Sequence, residues 1–301
     1  ILSIPFMPIS FFRDHLVMTG GGEAERIFLS SGTTAIRGDT GDMKNQADTE
    51  VRNQSGAVNP KRSRHEVKSL TLYNESLERT FRMFYGDPGG YAITGLLPSY
   101  LEREDSSLIY MVNRLMQLSG NDAGGFFPDD HTALLQTIEK ARAARLKVLL
   151  MGVTFALLDL AEKHPVDLSD VIIMETGGMK GRRREMIREE VHEIIKKAFG
   201  VSSVHSEYGM TELLSQAYSR GDGIFRTPPW MKVLIRDSHD PMSHSSEAGA
   251  AGGISIIDLA NLWSCSFLAT DDLGRMHPGG LFEVQGRFDE ADIRGCNLLV
   301  S

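Results

Sequence analysis

The sequence has few of the residues that build disulfide frameworks or structural zinc sites. Its 301 residues include only two cysteines, Cys265 and Cys296, with no CxxC pair and no cluster of cysteine and histidine. Neither a disulfide scaffold nor a structural zinc site is therefore expected. Two isolated cysteines suit a reducing compartment, and we predict a cytoplasmic protein.

Long apolar runs and an excess of positive charge are also lacking. The longest hydrophobic stretch, LKVLLMGVTFALLDL at 146–160, is too short to span a bilayer, so stable membrane insertion is not expected. The net charge of -8 and the pI near 5.6 argue against a general nucleic-acid binder. No Gly-Lys-Ser/Thr follows the hydroxyl-rich stretch near residue 30, which excludes a Walker A phosphate loop there.

The chain does contain a long alternation of strand-like and helix-like segments. Apolar runs predict strands at 26–30, 91–97, 147–152 and 170–178, and apolar residues at helical spacing predict helices at 69–86, 106–120, 131–145, 155–164 and 182–200. Buried strands joined by helices predict an α/β fold with a largely parallel sheet.

The pattern changes after about residue 225. Short strands at 232–237, 253–259, 266–275 and 280–287 are separated by turn residues, which predicts a smaller antiparallel sheet or barrel. We therefore divide the chain into an α/β core at 1–225, which would bind nucleotide and acyl group, and a β-rich part at 226–301 that ends in a cysteine tail. Residues 35–66 contain almost no large apolar side chain, which predicts a mobile polar insertion.

Two stretches have small or hydroxylated residues where a strand ends. In RIFLSSGTTAIRGDTG, at 26–41, the loop after the strand can present backbone N–H groups and hydroxyls to phosphate, or it can be an ordinary turn. In ETGGMKGRRRE, at 175–185, Gly177 and Gly178 would let a flat ligand approach the backbone, although a tight strand-to-helix connection also fits.

Two further stretches carry acidic, aromatic and basic residues. VHSEYGMTELLS, at 204–215, places Tyr208, Thr211 and Glu212 at a predicted strand-to-helix junction, where they could bind a base, a phosphate and Mg²⁺, or cap the helix. In ATDDLGRMHPGGLFEVQGR, Arg287 follows Asp272 by fifteen residues. This pair suits a ribose diol, or a surface salt bridge across a hairpin.

Five stretches, taken in chain order, resemble motifs of the adenylate-forming superfamily of acyl-CoA and acyl-AMP ligases. They are LSSGTT, ETGG, SEYGMTE, TDDLGR and the later GR. Four stretches are similar to blocks of the acyl-protein synthetase branch of that superfamily, the fatty-acid ligase component of bacterial luciferase pathways. They are PFMPISFF, HEVKSLTLYNESL, ETGGMKGRRRE and IRGCNLLV. The resemblance covers nearly the whole chain. It implies mostly parallel sheets flanked by helices, a smaller antiparallel sheet or barrel, and a C-terminal lid domain that is absent or vestigial.

The resemblance also implies the reaction and the site. Such enzymes use ATP and Mg²⁺ to convert a fatty acid into acyl-AMP and then pass the acyl group to a thiol. Residues implied to bind ATP are Ser30, Ser31, Gly32, Thr33, Thr34, Gly177, Gly178, Tyr208, Asp272 and Arg287. Residues implied in the chemistry are Thr211 at the α-phosphate, Glu212 as the magnesium ligand and Cys296 as the acyl acceptor.

The resemblance leaves three readings of the whole protein open. The leading one is a ligase that loads Cys296 and delivers the acyl group to a partner, either an acyl reductase or a transferase. The second uses coenzyme A as the thiol, as phenylacetate-CoA ligases do. The third is a non-catalytic acyl- or nucleotide-binding protein, because Ala35 replaces the family's glycine after SSGTT and the polar segment follows directly.

Overall fold

The computed structural model describes residues 4–31, 62–98, 103–177 and 186–288. Its strands are β1 (Met7–Pro8), β2 (Arg26–Leu29), β3 (Arg64–Val67), β4 (Tyr91–Leu96), β5 (Gly125–Phe126), β6 (Lys147–Gly152), β7 (Val171–Glu175), β8 (His205–Tyr208), β9 (Ala217–Ser219), β10 (Ile224–Phe225), β11 (Met231–Arg236), β12 (His244–Ser245), β13 (Ala251–Asp258), β14 (Phe267–Met276) and β15 (Phe282–Arg287). Its helices are α1 (Phe11–Asp14), α2 (Leu70–Tyr85), α3 (Ser107–Ser119), α4 (His131–Ala143), α5 (Thr154–Lys163) and α6 (Arg188–Phe199).

The first sheet is mostly parallel. Within the described residues its strand order is β5-β4-β6-β7-β8-β9, and only β9 runs antiparallel to its neighbour. Every residue of β4 is buried, as is all of β6 after Lys147, so the centre of the sheet is covered on both faces. The predicted parallel α/β architecture is confirmed.

Helix ends follow the capping residues of the sequence. Ser69 and Ser106 precede α2 and α3, and their hydroxyls accept hydrogen bonds from backbone N–H groups of the first turn. Helices α3 and α6 end at Gly120 and Gly200, which have the left-handed φ values of 64° and 67°. The bounds of α3 therefore agree with the predicted serine start and glycine end.

The second sheet is antiparallel over most of its width, as predicted for the chain after residue 225. In the described part its order is β10-β15-β14-β13-β11-β12, and β1 adds to β14 in parallel. It has its own hydrophobic core, which also takes in Tyr208, Leu213 and Ala217 from the first sheet's β8–β9 region. The division of the chain at residue 225 stays a prediction.

The hairpin of β2 and β3 flanks the polar segment. The two strands pair antiparallel, with Leu29 opposite Arg64. The predicted mobile loop at 35–66 is therefore wrong for 64–66, because the His65 ring is buried and bonded to the chain at Thr211. Residues 35–61 lie outside the described residues.

Within the described ranges, no helix combines the length and the apolar character needed to cross a bilayer.

Candidate functional site

The carboxyl ends of the parallel strands meet at one edge of the first sheet. There the loop after β7 contacts the loop after β6, since the N–H of Thr154 donates to the carbonyl of Gly177 and the N–H of Thr176 to that of Gly152. Tyr208 ends β8, and Thr211 and Glu212 follow within the same turn. Ligands of open α/β sheets bind at such edges, so this is where the predicted nucleotide residues belong.

Tyr208, Asp272 and Arg287 form one hydrogen-bonded chain between the two sheets. The Tyr208 hydroxyl donates to Oδ2 of Asp272 at 2.7 Å, and Nε of Arg287 donates to Oδ1 at 2.9 Å. Asp272 and Arg287 lie directly opposite each other on β14 and β15. Burial and the adjacent Asp272 raise the pKa of Tyr208 well above its usual value. The Asp272 carboxylate is buried while the Arg287 side chain remains largely exposed.

The Tyr208 ring is held by its neighbours as well as by its hydroxyl. It packs edge-on against Phe225 and Phe282, with ring centroids 5.9 and 5.6 Å away. Phe282 and Phe225 are fully buried in the second sheet's core. The ring therefore has one orientation, fixed at the junction of the two sheets.

Ser63 lies beside both Ser30 and Glu212. The backbone N–H of Ser63 donates to Ser30 Oγ at 3.0 Å, and the N–H of Ser30 donates to the Ser63 carbonyl at 2.9 Å. Burial raises the pKa of Glu212, and the nearby Ser63 side chain opposes that shift. The first residue of the predicted phosphate loop thus lies beside the predicted magnesium ligand.

The two groups of residues lie close enough to interact electrostatically. Arg287 lowers the pKa of Glu212 and Asp272 raises it, although burial remains the largest influence. Because such effects act over short distances in a protein interior, Glu212 lies within electrostatic range of the Asp272–Arg287 pair.

Two arginines surround the end of β2. Arg62 and Arg103 donate to the carbonyl of Ser30, and both guanidinium groups also bond to Asp105. Burial lowers the pKa of Arg103, and the nearby Arg62 lowers it further. Two guanidinium groups therefore lie at the start of the predicted phosphate loop.

The turn after β8 differs from the predicted strand-to-helix junction. No helix follows Thr211. Instead the chain turns back into β9, because Asp258 accepts hydrogen bonds from the N–H groups of Leu214 and Ser215 at 2.9 and 3.0 Å. The Thr211 carbonyl accepts a bond from Nδ1 of His65, whose pKa burial lowers to about 4, so the ring is a neutral donor. The helix-cap alternative for Thr211 and Glu212 is therefore wrong.

Glu175 was not among the predicted site residues, yet it organises this edge of the sheet. The buried carboxylate accepts from Thr154 Oγ1 at 2.9 Å, from Ser206 Oγ at 3.0 Å and from Arg188 Nε at 3.2 Å. Arg188 also donates to the carbonyl of Val284 on β15 at 2.9 Å. A charged residue ending the apolar run VIIM was the signal in the sequence.

Several predicted residues cannot be placed. Gly32, Thr33, Thr34, Gly178 and Cys296 lie outside the described residues. Ser31 is described and exposed, and Gly177 is described with a left-handed φ of 73°. For these seven residues, as for the other predicted site residues, the assigned roles stay predictions.

The fold is similar to that of solved acyl-CoA ligases, whereas no family model and no curated protein matches the chain. A 2-hydroxyisobutyryl-CoA ligase holding 2-HIB-AMP superposes with a TM-score of 0.64 at 12% identity, over 95% of this chain and 58% of that one. The o-succinylbenzoate-CoA synthetase of Bacillus subtilis with OSB-AMP gives 0.56 at 15%, over 88% and 63%. A long-chain-fatty-acid-CoA ligase from Archaeoglobus fulgidus gives 0.54 at 15%, over 72% and 47%.

These comparisons establish the fold of the chain. Its α/β body with an adjoining antiparallel sheet is the architecture shared with these ligases. The chain covers less than two thirds of the length of each of them. Identities of 12–15% leave the activity to be argued from the site itself.

Proposed function

We propose that the chain is an ATP-dependent acid–thiol ligase that first joins a fatty acid to AMP. The observation that carries this proposal is the convergence of Tyr208, Asp272 and Arg287 with Glu212 at one edge of the sheet. An aromatic wall, an acceptor–donor pair for a ribose diol and a buried carboxylate are the groups that a nucleotide with its metal requires. The shared fold of solved acyl-CoA ligases supports the same reading.

The first half-reaction needs positioning and charge neutralisation. A carboxylate oxygen of the acid attacks the α-phosphorus of ATP, the bond from that phosphorus to the bridging oxygen breaks, and pyrophosphate leaves with the electron pair. Asp272 accepts from the ribose hydroxyls and Arg287 donates to them, while Thr211 contacts the α-phosphate. Arg62 and Arg103 supply positive charge near the phosphates, which favours in-line attack between two anions.

Mg²⁺ fits this site as an ion held mainly by phosphate oxygens. No group of three or more His, Cys, Asp or Glu side chains in the described ranges is arranged to hold a metal. Magnesium in phosphoryl-transfer sites commonly takes one or two carboxylates, with the remaining ligands from phosphates and water. Glu212 would be that carboxylate, and the ion would neutralise charge on the phosphates.

The ribose assignment predicts a defect in ATP binding. In Asp272→Asn the ion pair with Arg287 is lost and Tyr208 keeps a weaker acceptor. We expect the KM for ATP to rise by about 10- to 100-fold, the cost of a hydrogen bond to a charged group, with a smaller change in kcat. ATP–pyrophosphate exchange with a fatty acid measures both constants. Glu283→Gln, on the neighbouring strand β15, is the matched control and should leave KM unchanged.

Cys296 is the proposed acceptor in the second half-reaction, in which a thiolate attacks the acyl carbon and AMP leaves. Incubation with ATP and labelled fatty acid is expected to label the protein itself, and Cys296→Ser should abolish the label while pyrophosphate exchange continues. Cys265→Ser is the control, since Cys265 donates to the Phe267 carbonyl inside the second sheet.

Other outcomes of the labelling experiment point to the alternatives. Labelled acyl-CoA in solution with unlabelled protein would identify coenzyme A as the thiol. Nucleotide binding without pyrophosphate release under saturating ATP and acid would identify a non-catalytic protein. Transfer of the label to an acyl reductase or a transferase would identify the partner protein.

A further inference from the structure

Glu207 lies on the side of β8 that faces away from Tyr208. Successive residues of a strand point to opposite faces, so Tyr208 points toward the second sheet while Glu207 points toward the other face. In the register of β8 with β9, Glu207 stands directly opposite Tyr218. Their side chains therefore share one face of the sheet edge, one residue away from the proposed nucleotide site.

The Glu207 carboxyl group lies over Gly209. An ideal Cβ placed on Gly209 would come within 2.3 Å of Glu207 Oε1 and 3.6 Å of Gln216 Cγ. Only a residue without a side chain leaves room for the carboxyl group in this position. Gly209 is exposed and Glu207 is partly exposed, so the carboxyl group lies under the turn that leads to Thr211.

Two buried oxygens beside Glu207 have no hydrogen-bond partner among the described residues. These are Oε1 of Gln216 and the hydroxyl of Tyr218, in side chains that are only 3% and 2% exposed. Buried polar atoms of folded proteins are nearly always hydrogen-bonded, so an unpaired one requires an explanation. A ligand that supplies the missing hydrogen bonds is such an explanation.

The surroundings of Glu207 favour its neutral form. Burial raises the pKa of Glu207 to about 8. The same carboxyl group, after burial, raises the pKa of Tyr73 on α2 and of Tyr218 on β9. The group therefore lies within electrostatic range of both tyrosines. A protonated carboxyl group there can both donate and accept.

We infer that Glu207, Gln216 and Tyr218 bind a hydrogen-bond donor, a hydroxyl or an amino group, carried on the chain of the acid that is activated. This inference rests on the proposed function and narrows its substrate class from unsubstituted fatty acids to hydroxy or amino acids. Oε1 of Gln216 needs a donor, whereas the Tyr218 hydroxyl and the neutral Glu207 carboxyl group can each donate or accept, so a hydroxyl or an amino group satisfies all three. An unsubstituted alkyl chain would leave all three unpaired, and sites built to hydrogen-bond a substrate group reject analogues that lack it.

The test compares acids that differ only in the donor. ATP–pyrophosphate exchange is measured for unbranched saturated acids and for their hydroxyl- and amino-substituted counterparts of equal length. We expect kcat/KM for the best donor-bearing acid to exceed that of its matched acid by about 100-fold or more. The hydroxyl and amino series distinguish a neutral donor from a cationic one.

A pair of tyrosine variants separates recognition from packing. Tyr218→Phe removes an unpartnered hydroxyl and should reduce the preference about 10-fold with little loss of stability. Tyr85→Phe removes a hydroxyl already bonded to His205 and should leave the preference intact. Glu207→Leu is expected to reverse the preference in favour of unsubstituted acids.

The possible failures are distinguishable. The inference is overturned if unsubstituted acids give equal or better exchange, or if Tyr218→Phe leaves the preference for donor-bearing acids unchanged. Neither result contradicts the proposed function. Absence of exchange with every acid overturns the proposed function. In that case the binding of the same acid pairs, measured by calorimetry, tests the role of Glu207, Gln216 and Tyr218 directly. Equal affinities for both members of each pair overturn the inference as well.

Discussion

Glu212→Gln is expected to lower the kcat of ATP–pyrophosphate exchange by about 100- to 1000-fold without destabilising the fold. The substitution keeps the size of the side chain and an oxygen that can accept from Ser63. It removes the charge that would hold Mg²⁺ against the phosphates, and the loss of one preorganised electrostatic contact at a reacting centre has this magnitude.

The stability of Glu212→Gln, unlike its activity, is expected to be retained or increased. Burial raises the pKa of Glu212, which means that the ionised carboxylate is less favourable in the folded chain than in the unfolded chain. Removing that charge at neutral pH should leave the free energy of unfolding unchanged or raise it. A purely structural role for Glu212 would instead give loss of activity together with loss of stability.

The measurement combines exchange kinetics at graded Mg²⁺ with urea denaturation. Glu247→Gln, at an exposed glutamate in the turn between β12 and β13, is the control and should alter neither quantity. Wild-type exchange should fall as the pH decreases, because protons compete with Mg²⁺ for Glu212. The residual exchange of Glu212→Gln should lack this pH dependence. Full activity of Glu212→Gln at low Mg²⁺ would show that Glu212 does not bind the metal.

The parallel sheet is predictable from the sequence because its strands are uninterrupted apolar runs. KVLLMG at β6 and VIIM at β7 cannot be amphipathic surface strands, and each is followed by a helical pattern. The turn after β8 was predicted as a strand-to-helix junction because Thr211 could cap a helix with Glu212 in its first turn. Asp258, which turns the chain into β9 instead, lies more than forty residues away and leaves no local signal.

The contacts that bring the site residues together could not be predicted from local sequence either, because they also join residues that are far apart along the chain. Asp272 and Arg287 could be paired from hairpin spacing, whereas the bond from Tyr208 to Asp272 joins two different sheets. Ser63, which lies beside both Ser30 and Glu212, is near the C-terminal end of the polar segment at 35–66 and belongs to no motif. A motif therefore indicates which residues approach the ligand, and the long-range partners decide how each one is held.

Glu175→Ala is expected to lower the free energy of unfolding by about 3–5 kcal/mol, the cost of removing one partner from a buried ion pair. The variant would leave the Arg188 guanidinium, Thr154 and Ser206 without their acceptor. The matched control is Glu139→Ala, which breaks an arginine–glutamate pair at the surface and should change stability by less than about 1 kcal/mol. Urea denaturation of both variants at neutral pH measures the contrast.

The pH dependence of that loss identifies its electrostatic part. Burial alone would raise the pKa of Glu175, but His192, 3.5 Å away, and Arg188 outweigh it and lower the pKa from 4.5 to about 2. A lowered pKa means that the carboxylate stabilises the fold fully above about pH 4.5 and progressively less as the pH falls toward 2. The shift corresponds to about 3 kcal/mol, so the difference between wild type and Glu175→Ala should shrink by that amount in acid. A difference that stays constant from neutral pH to pH 2 would assign the loss to packing and contradict the ion pair.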